Sequence, residues 1–257
     1  MSAELQASRR DATLILTLSN PGMGNALHAD MSAAAIETMS TAERDSSIKV
    51  VVVTGSGKAF SIGTDLALLA EGQTLDRERQ LDTLSNLQGW IDAIRDCSKP
   101  VIAAVEHSAI GAGFSLSLAC DMIVAGTSAR FAMSHAQDGL PPEGGGSWFI
   151  ARALPRQLAA EILMEGQPIG AQRLHALGLV NRVVPDGQAL DAALSWADEI
   201  ARLPSDTCER IKILLRDAQT RTLGEHFTLE KQHLIERSSR SDAADGVQAF
   251  LRKRQAE

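Results

Sequence analysis

Glu143 is the only carboxylate in the segment 139–148, where it lies between Pro141-Pro142 and three consecutive glycines. The prolines fix φ before it, and the glycines let backbone and ligand come close after it. A carboxylate held in this way is suited to taking a proton from a bound substrate and returning it. Alternatively, Glu143 is an acidic residue that stabilises the N-terminus of a helix beginning near Ser147.

Two glycine turns follow apolar segments of the chain, at residues 59–66 and 109–115. Each turn places backbone N–H groups at the start of a helix, where they can bind an oxyanion or a phosphate. Neither turn contains the Gly-x-x-x-x-Gly-Lys-Ser/Thr pattern, and Gly111-Ala112-Gly113 lacks the third glycine of a dinucleotide fingerprint. An oxyanion site is one interpretation, and tight packing of strand ends is the other.

Apolar periodicity predicts the elements that position these residues. Strands are predicted at 13–18, 50–55, 101–105, 122–125 and 180–184. Helices are predicted at 29–44, 81–96, 157–164, 171–177, 190–202, 205–218 and 223–239, and a further short helix is predicted to follow the glycine turn at 111–113 and to end at Ala119. The alternation of strands and helices predicts an α/β fold. The run of helices after Pro155 is a candidate for subunit contacts, and the polar segment 72–78 is predicted to be a mobile surface loop.

Composition and net charge exclude several classes of function for this chain. The chain has 257 residues, 44% of them hydrophobic, so it can bury a large core. A net charge of −7 disfavours a nucleic-acid or anionic-membrane partner. Cys97, Cys120 and Cys208 are too far apart for a zinc site or a disulfide framework, and no apolar segment resembles a leader or a membrane span. We therefore expect a cytoplasmic protein without a metal.

Five motifs occur in register: Asn25-Ala26-Leu27, Ala59-Phe60-Ser61-x-Gly63-x-Asp65-Leu66, Lys99-Pro100-Val101-Ile102-Ala103-Ala104-Val105, Gly111-Ala112-Gly113 and Cys120-Asp121. Over essentially the whole chain they resemble the crotonase superfamily of enoyl-CoA hydratases and isomerases. The segment 139–152 most resembles the ring-epoxide isomerases of phenylacetate breakdown and the alternative oxepin-CoA hydrolases.

The resemblance implies an α/β fold in which a spiral of ββα units forms a core over residues 1–200. It also implies a helical region over residues 201–257 that builds a homotrimer or a dimer of trimers. The implied ligand is an acyl-CoA thioester. Coenzyme A is then part of the substrate, and no separate cofactor is expected.

The resemblance also assigns roles to individual residues. The backbone N–H groups of Thr64 and Ala112 are expected to hold the thioester oxygen, and one such donor is typically worth about 3 kcal/mol in the transition state. The coenzyme A groove is expected to be lined by Ala26, Leu27, Ala59, Ile62 and Asp65. Asp65 has an alternative role as a helix cap.

The departures from the family pattern favour one reaction over others. Hydratases of this family use two glutamates, and the corresponding positions here are Ser115 and His135. Adding water requires one group to activate it and another to deliver a proton. Glu143 corresponds to the single functional carboxylate of several isomerases. We therefore favour an isomerase that shifts a proton or double bond over a hydratase, a ring-opening hydrolase or a catalytically silent binding protein.

Three further residues are candidates for the substrate pocket, each with a structural alternative. His135 could contact substrate or tune Glu143, or it could be a core histidine. Ser115 could face substrate, although packing or a local backbone contact is the simpler role. Trp148 could wall an acyl pocket, although aromatic residues at the start of a helix commonly belong to the core.

Overall fold

The computed structural model describes residues 4–64 and 77–240, together with Gln248 and Arg252. The chain divides into two compact units, Met1–Arg202 and Leu203–Glu257. This boundary lies close to the division at residue 200 that the resemblance implies.

The first unit is built on a mainly parallel sheet. Its strands are β1 (Glu4–Arg10), β2 (Thr13–Ser19), β3 (Val50–Gly55), β4 (Val101–Val105), β6 (Met122–Gly126) and β9 (Arg182–Val184). Among the described residues they follow the order β1-β2-β3-β4-β6-β9, and only β1 and β2 pair antiparallel. Strand β1 was not predicted, because its side chains are mostly exposed and carry no apolar alternation.

A second, smaller sheet joins β5 (Ser108–Ile110), β7 (Arg130–Ala132) and β8 (Ile169–Gly170) within the same unit. Strands β5 and β7 are parallel, and β7 and β8 are antiparallel. None of these short strands was predicted as such from the sequence, because two or three residues are too few to show a period.

Helices cover the sheets and form the second unit. In the first unit they are α1 (Ala29–Arg44), α2 (Arg77–Asp96), α3 (Ala112–Ala119), α4 (Gly146–Ala153), α5 (Arg156–Glu165), α6 (Ala171–Ala176) and α7 (Ala189–Ala201). Helix α2 begins four residues before the predicted start, so the loop prediction is wrong for Arg77 and Glu78. Residues 72–76 of that prediction lie outside the described part of the chain.

Both faces of the main sheet are covered, as the uninterrupted valines of β3 predict. Val50 and Val52 pack in one cluster with Ala193 and Ala197 of α7. Val51 and Val53 belong to the other cluster, which includes Trp90 of α2. This two-sided burial confirms the α/β architecture.

The second unit contains α8 (Ser205–Asp217) and α9 (Leu223–Ser238). Helix α9 begins with a capping box between Thr222 and Glu225, whose hydrogen bonds from Thr222 hold the pKa of the Glu225 carboxyl below its ordinary value. The exposed large apolar side chains of the second unit include Ile211, Leu215, Leu223, Phe227, Leu234 and Ile235. The expected role of this unit in oligomerisation stays a prediction. In the described ranges of both units, no helix combines the length and the apolar composition that crossing a bilayer demands.

Asn25 ties together the segments that lead to the first glycine turn. Its Oδ1 accepts from the Asn20 N–H at 2.8 Å, and its Nδ2 donates to the Ser56 and Ala59 carbonyls at 2.8 and 2.7 Å. The residue is fully buried and has a φ of 57°. Asparagine tolerates this left-handed conformation better than other residues with a side chain, so both its backbone and its amide suit the position.

Replacing Asn25 with Ala should lower the free energy of unfolding by about 3 kcal/mol. The main-chain groups of Asn20, Ser56 and Ala59 lose their hydrogen bonds to the side chain, and the new alanine has to adopt a positive φ that its Cβ disfavours. Denaturant unfolding followed by tryptophan fluorescence measures this, since Trp90, Trp148 and Trp196 all lie in the first unit. Asn25→Gly is the matched control and should cost about 1 kcal/mol less, because glycine adopts positive φ freely. Wild-type stability of Asn25→Ala would contradict this role.

Candidate active site

The two glycine turns lie against each other. Ser61 and Ala109 form a parallel β-bridge, in which the Ser61 N–H donates to the Ser108 carbonyl and the Ile110 N–H donates to the Ser61 carbonyl. A Cβ on Gly113 would lie 2.5 Å from the Ser61 carbonyl oxygen. Only glycine therefore allows this approach, which explains one of the glycines that the sequence singled out.

Gly63 brings the two candidate oxyanion donors together. It has a φ of +91°, and a Cβ there would lie 2.8 Å from the Ile110 oxygen and 3.0 Å from the Ala112 nitrogen. Within the described residues, neither the Thr64 N–H nor the Ala112 N–H donates to a protein acceptor. Two unpaired N–H groups at adjoining turns, one of them at the N-terminus of α3, form the arrangement that stabilises an oxyanion.

Thr64 and Ala112 both line a cavity of about 280 Å³. Its walls are mainly apolar side chains and glycine backbone, with a few polar groups, as is usual for a small-molecule site. The lining residues are Ile62, Gly63, Thr64, Leu84, Gly111, Ala112, Ser134, His135, Asp138, Leu140, Pro141, Pro142 and Glu143.

Glu143 presents its carboxylate to this cavity. Its Oε1 accepts a hydrogen bond from the Thr64 hydroxyl at 2.6 Å, and its side chain is 16% exposed. Its main-chain carbonyl accepts from the Ser115 hydroxyl at 2.8 Å. The side chain does not cap α4, whose N-cap is Gly145, so the alternative of a helix-capping glutamate is not supported.

His135 lies beside the same carboxylate oxygen. Its Nε2 is 3.9 Å from Glu143 Oε1, and its ring is 3.4 Å from the position of a Cβ on Gly111. The residue is 8% exposed, and its buried Nδ1 has no hydrogen-bond partner in the described structure. The tautomer with its proton on Nε2 fits best, because it directs an N–H towards the carboxylate and leaves only an acceptor unpaired.

Two candidate pocket residues do not line the cavity. Ser115 is fully buried in α3 and holds the backbone of Glu143. Trp148 packs against the guanidinium groups of Arg95 and Arg152, which lie 4.8 and 4.0 Å from its ring centre. Ser115 therefore holds the backbone of Glu143, and Trp148 belongs to a cation–π cluster.

The candidate groove residues surround the first turn. Ala26, Leu27 and Ala59 are buried, and the Leu27 N–H donates to the Gly63 carbonyl at 2.8 Å. Ile62 is 46% exposed and lines the cavity. Asp65 lies outside the described residues.

Asp138 is a cavity residue whose position the sequence did not reveal. It ends a 3₁₀ turn at Ser134–Asp138 and precedes Gly139, which has a φ of 72°. Among the described residues, no group of three or more His, Cys, Asp or Glu could hold a metal ion.

The family model of enoyl-CoA hydratase/isomerase matches residues 9–257. The chain belongs to the enoyl-CoA hydratase/isomerase family. This confirms the resemblance to the crotonase superfamily.

Relatives of this family member include proteins with different reactions. It is 34% identical over 255 residues to the 2,3-dehydroadipyl-CoA hydratase of Escherichia coli K12, covering 98% of this chain and 97% of that protein. It is 32% identical over 244 residues to the 1,2-epoxyphenylacetyl-CoA isomerase of the same strain, covering 94% of this chain and 92% of that protein. The crystal structure of an enoyl-CoA hydratase from Polaromonas sp. JS666 matches with a TM-score of 0.95 at 45% identity, covering 97% of both chains.

Replacing Gly63 with Ala should lower kcat about 100-fold, because the new Cβ collides with the Ile110 carbonyl and the Ala112 N–H and displaces one oxyanion donor. Steady-state turnover of a CoA thioester measures this. Gly178→Ala is the matched control, because Gly178 also has a positive φ of +81° but a Cβ there meets nothing within 4 Å. The control should keep the wild-type kcat, and equal losses in both variants would contradict the assigned donors.

Proposed function

We propose that this protein is an acyl-CoA isomerase that shifts a proton, and with it a double bond, on an enoyl-CoA or ring-derived CoA thioester. The observation that carries the proposal is the 2.6 Å contact between the Glu143 carboxylate and Thr64. This contact supports the proposal because it brings the carboxylate beside the turn from which we expect one oxyanion donor.

In this mechanism the thioester oxygen accepts hydrogen bonds from the Thr64 and Ala112 N–H groups. Glu143 takes a proton from a carbon of the acyl chain, and the electron pair moves onto the thioester oxygen as an enolate. The two donors stabilise that charge. Glu143 then returns the proton to a different carbon, so the double bond moves and no water is consumed.

The burial of Glu143 distinguishes it from the other carboxylate of the cavity. Its side chain is 16% exposed, whereas Asp138 belongs to the exposed residues of the chain. A proton transferred by a well-solvated carboxylate competes with exchange into water. The more enclosed group is therefore the better candidate for carrying one proton between two carbons.

Hydration is the second candidate function, and His135 favours it. Its Nε2 lies 3.9 Å from Glu143 Oε1, so the cavity contains a second titratable group next to the carboxylate. In this alternative Glu143 activates water and His135 delivers the proton. A ring-opening hydrolase would use the same pair.

Replacing Glu143 with Gln should lower kcat by at least 1000-fold while leaving thioester affinity within about threefold, because the amide cannot accept the proton but fills the same space. Turnover assays and calorimetry of thioester binding measure the two effects. Glu165→Gln is the matched control, since Glu165 is exposed at the end of α5 and does not line the cavity. Full activity of Glu143→Gln would end this assignment, and the absence of any Glu143-dependent turnover in the wild type would favour a silent binding protein.

Replacing His135 with Gln separates the two reactions. If the protein is an isomerase, double-bond migration should fall less than tenfold, because 3.9 Å is too long for a direct hydrogen bond to the base. If it is a hydratase, water addition should fall by 100-fold or more, because the proton donor is lost. Chromatography of product thioesters measures both reactions. Loss of all migration in this variant would contradict the single-base isomerase.

A further inference from the structure

The side chain of Thr64 contacts the catalytic carboxylate, although the sequence assigned a role only to its backbone. The Oγ1 to Oε1 distance of 2.6 Å lies in the range of a strong, charge-assisted hydrogen bond. Such a bond restrains the flexible glutamate side chain, which otherwise samples several rotamers.

No other described side chain donates a hydrogen bond to this carboxylate. The Ser115 hydroxyl donates to the main-chain carbonyl of Glu143, and His135 Nε2 is 3.9 Å from Oε1. Oε2 has no protein partner among the described residues. Among the described residues the two carboxylate oxygens are therefore inequivalent, because Oε1 is hydrogen-bonded and Oε2 is not.

We propose that the Thr64 hydroxyl is a positioning residue for Glu143: it fixes Oε1 so that Oε2 takes and returns the proton. This inference rests on the proposed function of Glu143. The N–H of the same residue holds the thioester oxygen, so a single threonine sets the distance between the base and the oxyanion. The distance between the base and the oxyanion matters because, in the substrate, the carbon that loses the proton lies at a fixed separation from the thioester carbonyl.

Thr64→Val and Thr64→Ser form the matched pair that tests the proposal. Valine has nearly the same shape and keeps the backbone N–H but lacks the hydroxyl, whereas serine keeps the hydroxyl. We expect Thr64→Val to lower kcat by about tenfold to 100-fold with KM changed by less than about twofold, since a misplaced base slows the chemical step without weakening binding. Thr64→Ser should recover kcat to within about threefold of the wild type.

Three results would overturn the positioning role. These are wild-type kcat in Thr64→Val, equal losses in the valine and serine variants, and a rise in KM without a fall in kcat. Circular dichroism and denaturant unfolding establish that each variant is folded. If Thr64→Val does not fold, Thr64→Ala removes the hydroxyl without adding apolar bulk and takes its place against Thr64→Ser.

Glu143→Gln, measured alongside, separates this inference from the proposed function. An inactive Glu143→Gln with a fully active Thr64→Val would leave the base in place and remove only the positioning role. A fully active Glu143→Gln would remove the proposed function and the inference with it.

Discussion

The close approach of two glycine turns is the constraint on which the rest of the site depends. A side chain on Gly113 would collide with the Ser61 carbonyl, and one on Gly63 would collide with the Ile110 carbonyl. Because both turns lack these side chains, the main-chain bridge between Ser61 and Ala109 can form, and it brings the N–H groups of Thr64 and Ala112 near each other. Donors fixed in this way need little reorganisation when charge develops on a substrate oxygen, and such preorganisation is what makes an oxyanion hole effective.

The fold keeps this approach rigid by anchoring each contributing segment. The first turn follows β3, and Asn25 binds its backbone through two amide hydrogen bonds to the Ser56 and Ala59 carbonyls. The second turn follows β4, the neighbouring strand of the same parallel sheet. Glu143 comes from a third segment, whose backbone is held by Ser115 of α3. The base and the oxyanion donors therefore meet only in the folded sheet, and the Thr64 hydroxyl provides the last link between them.

Much of this framework could be predicted from the sequence, and the reasons are physical. The valines of β3 and the glycines of both turns are local signals, because burial on both faces and close backbone approach each restrict residue type. The hydrogen bond from Thr64 to Glu143 has no such signal, since it joins distant segments through two common side chains. The cavity positions of Leu84 and Asp138 depend likewise on tertiary packing. Trp148 shows the converse, because its aromatic type suggested a pocket wall but nearby Arg95 and Arg152 pack against it.

In the proposed reaction, Glu143 moves a proton between carbons of a thioester whose oxygen is held by the two turns. The most direct test is mass spectrometry of linear 2-enoyl-, linear 3-enoyl- and aromatic-ring-derived CoA thioesters incubated with the protein in water enriched in both deuterium and heavy oxygen. We expect an isomerised product that contains no heavy oxygen and whose migrated hydrogen comes mainly from the substrate, because the enclosed Glu143 carboxylate transfers it before it exchanges with the deuterated water. Heavy oxygen in the product would contradict the isomerase and identify water as a reactant.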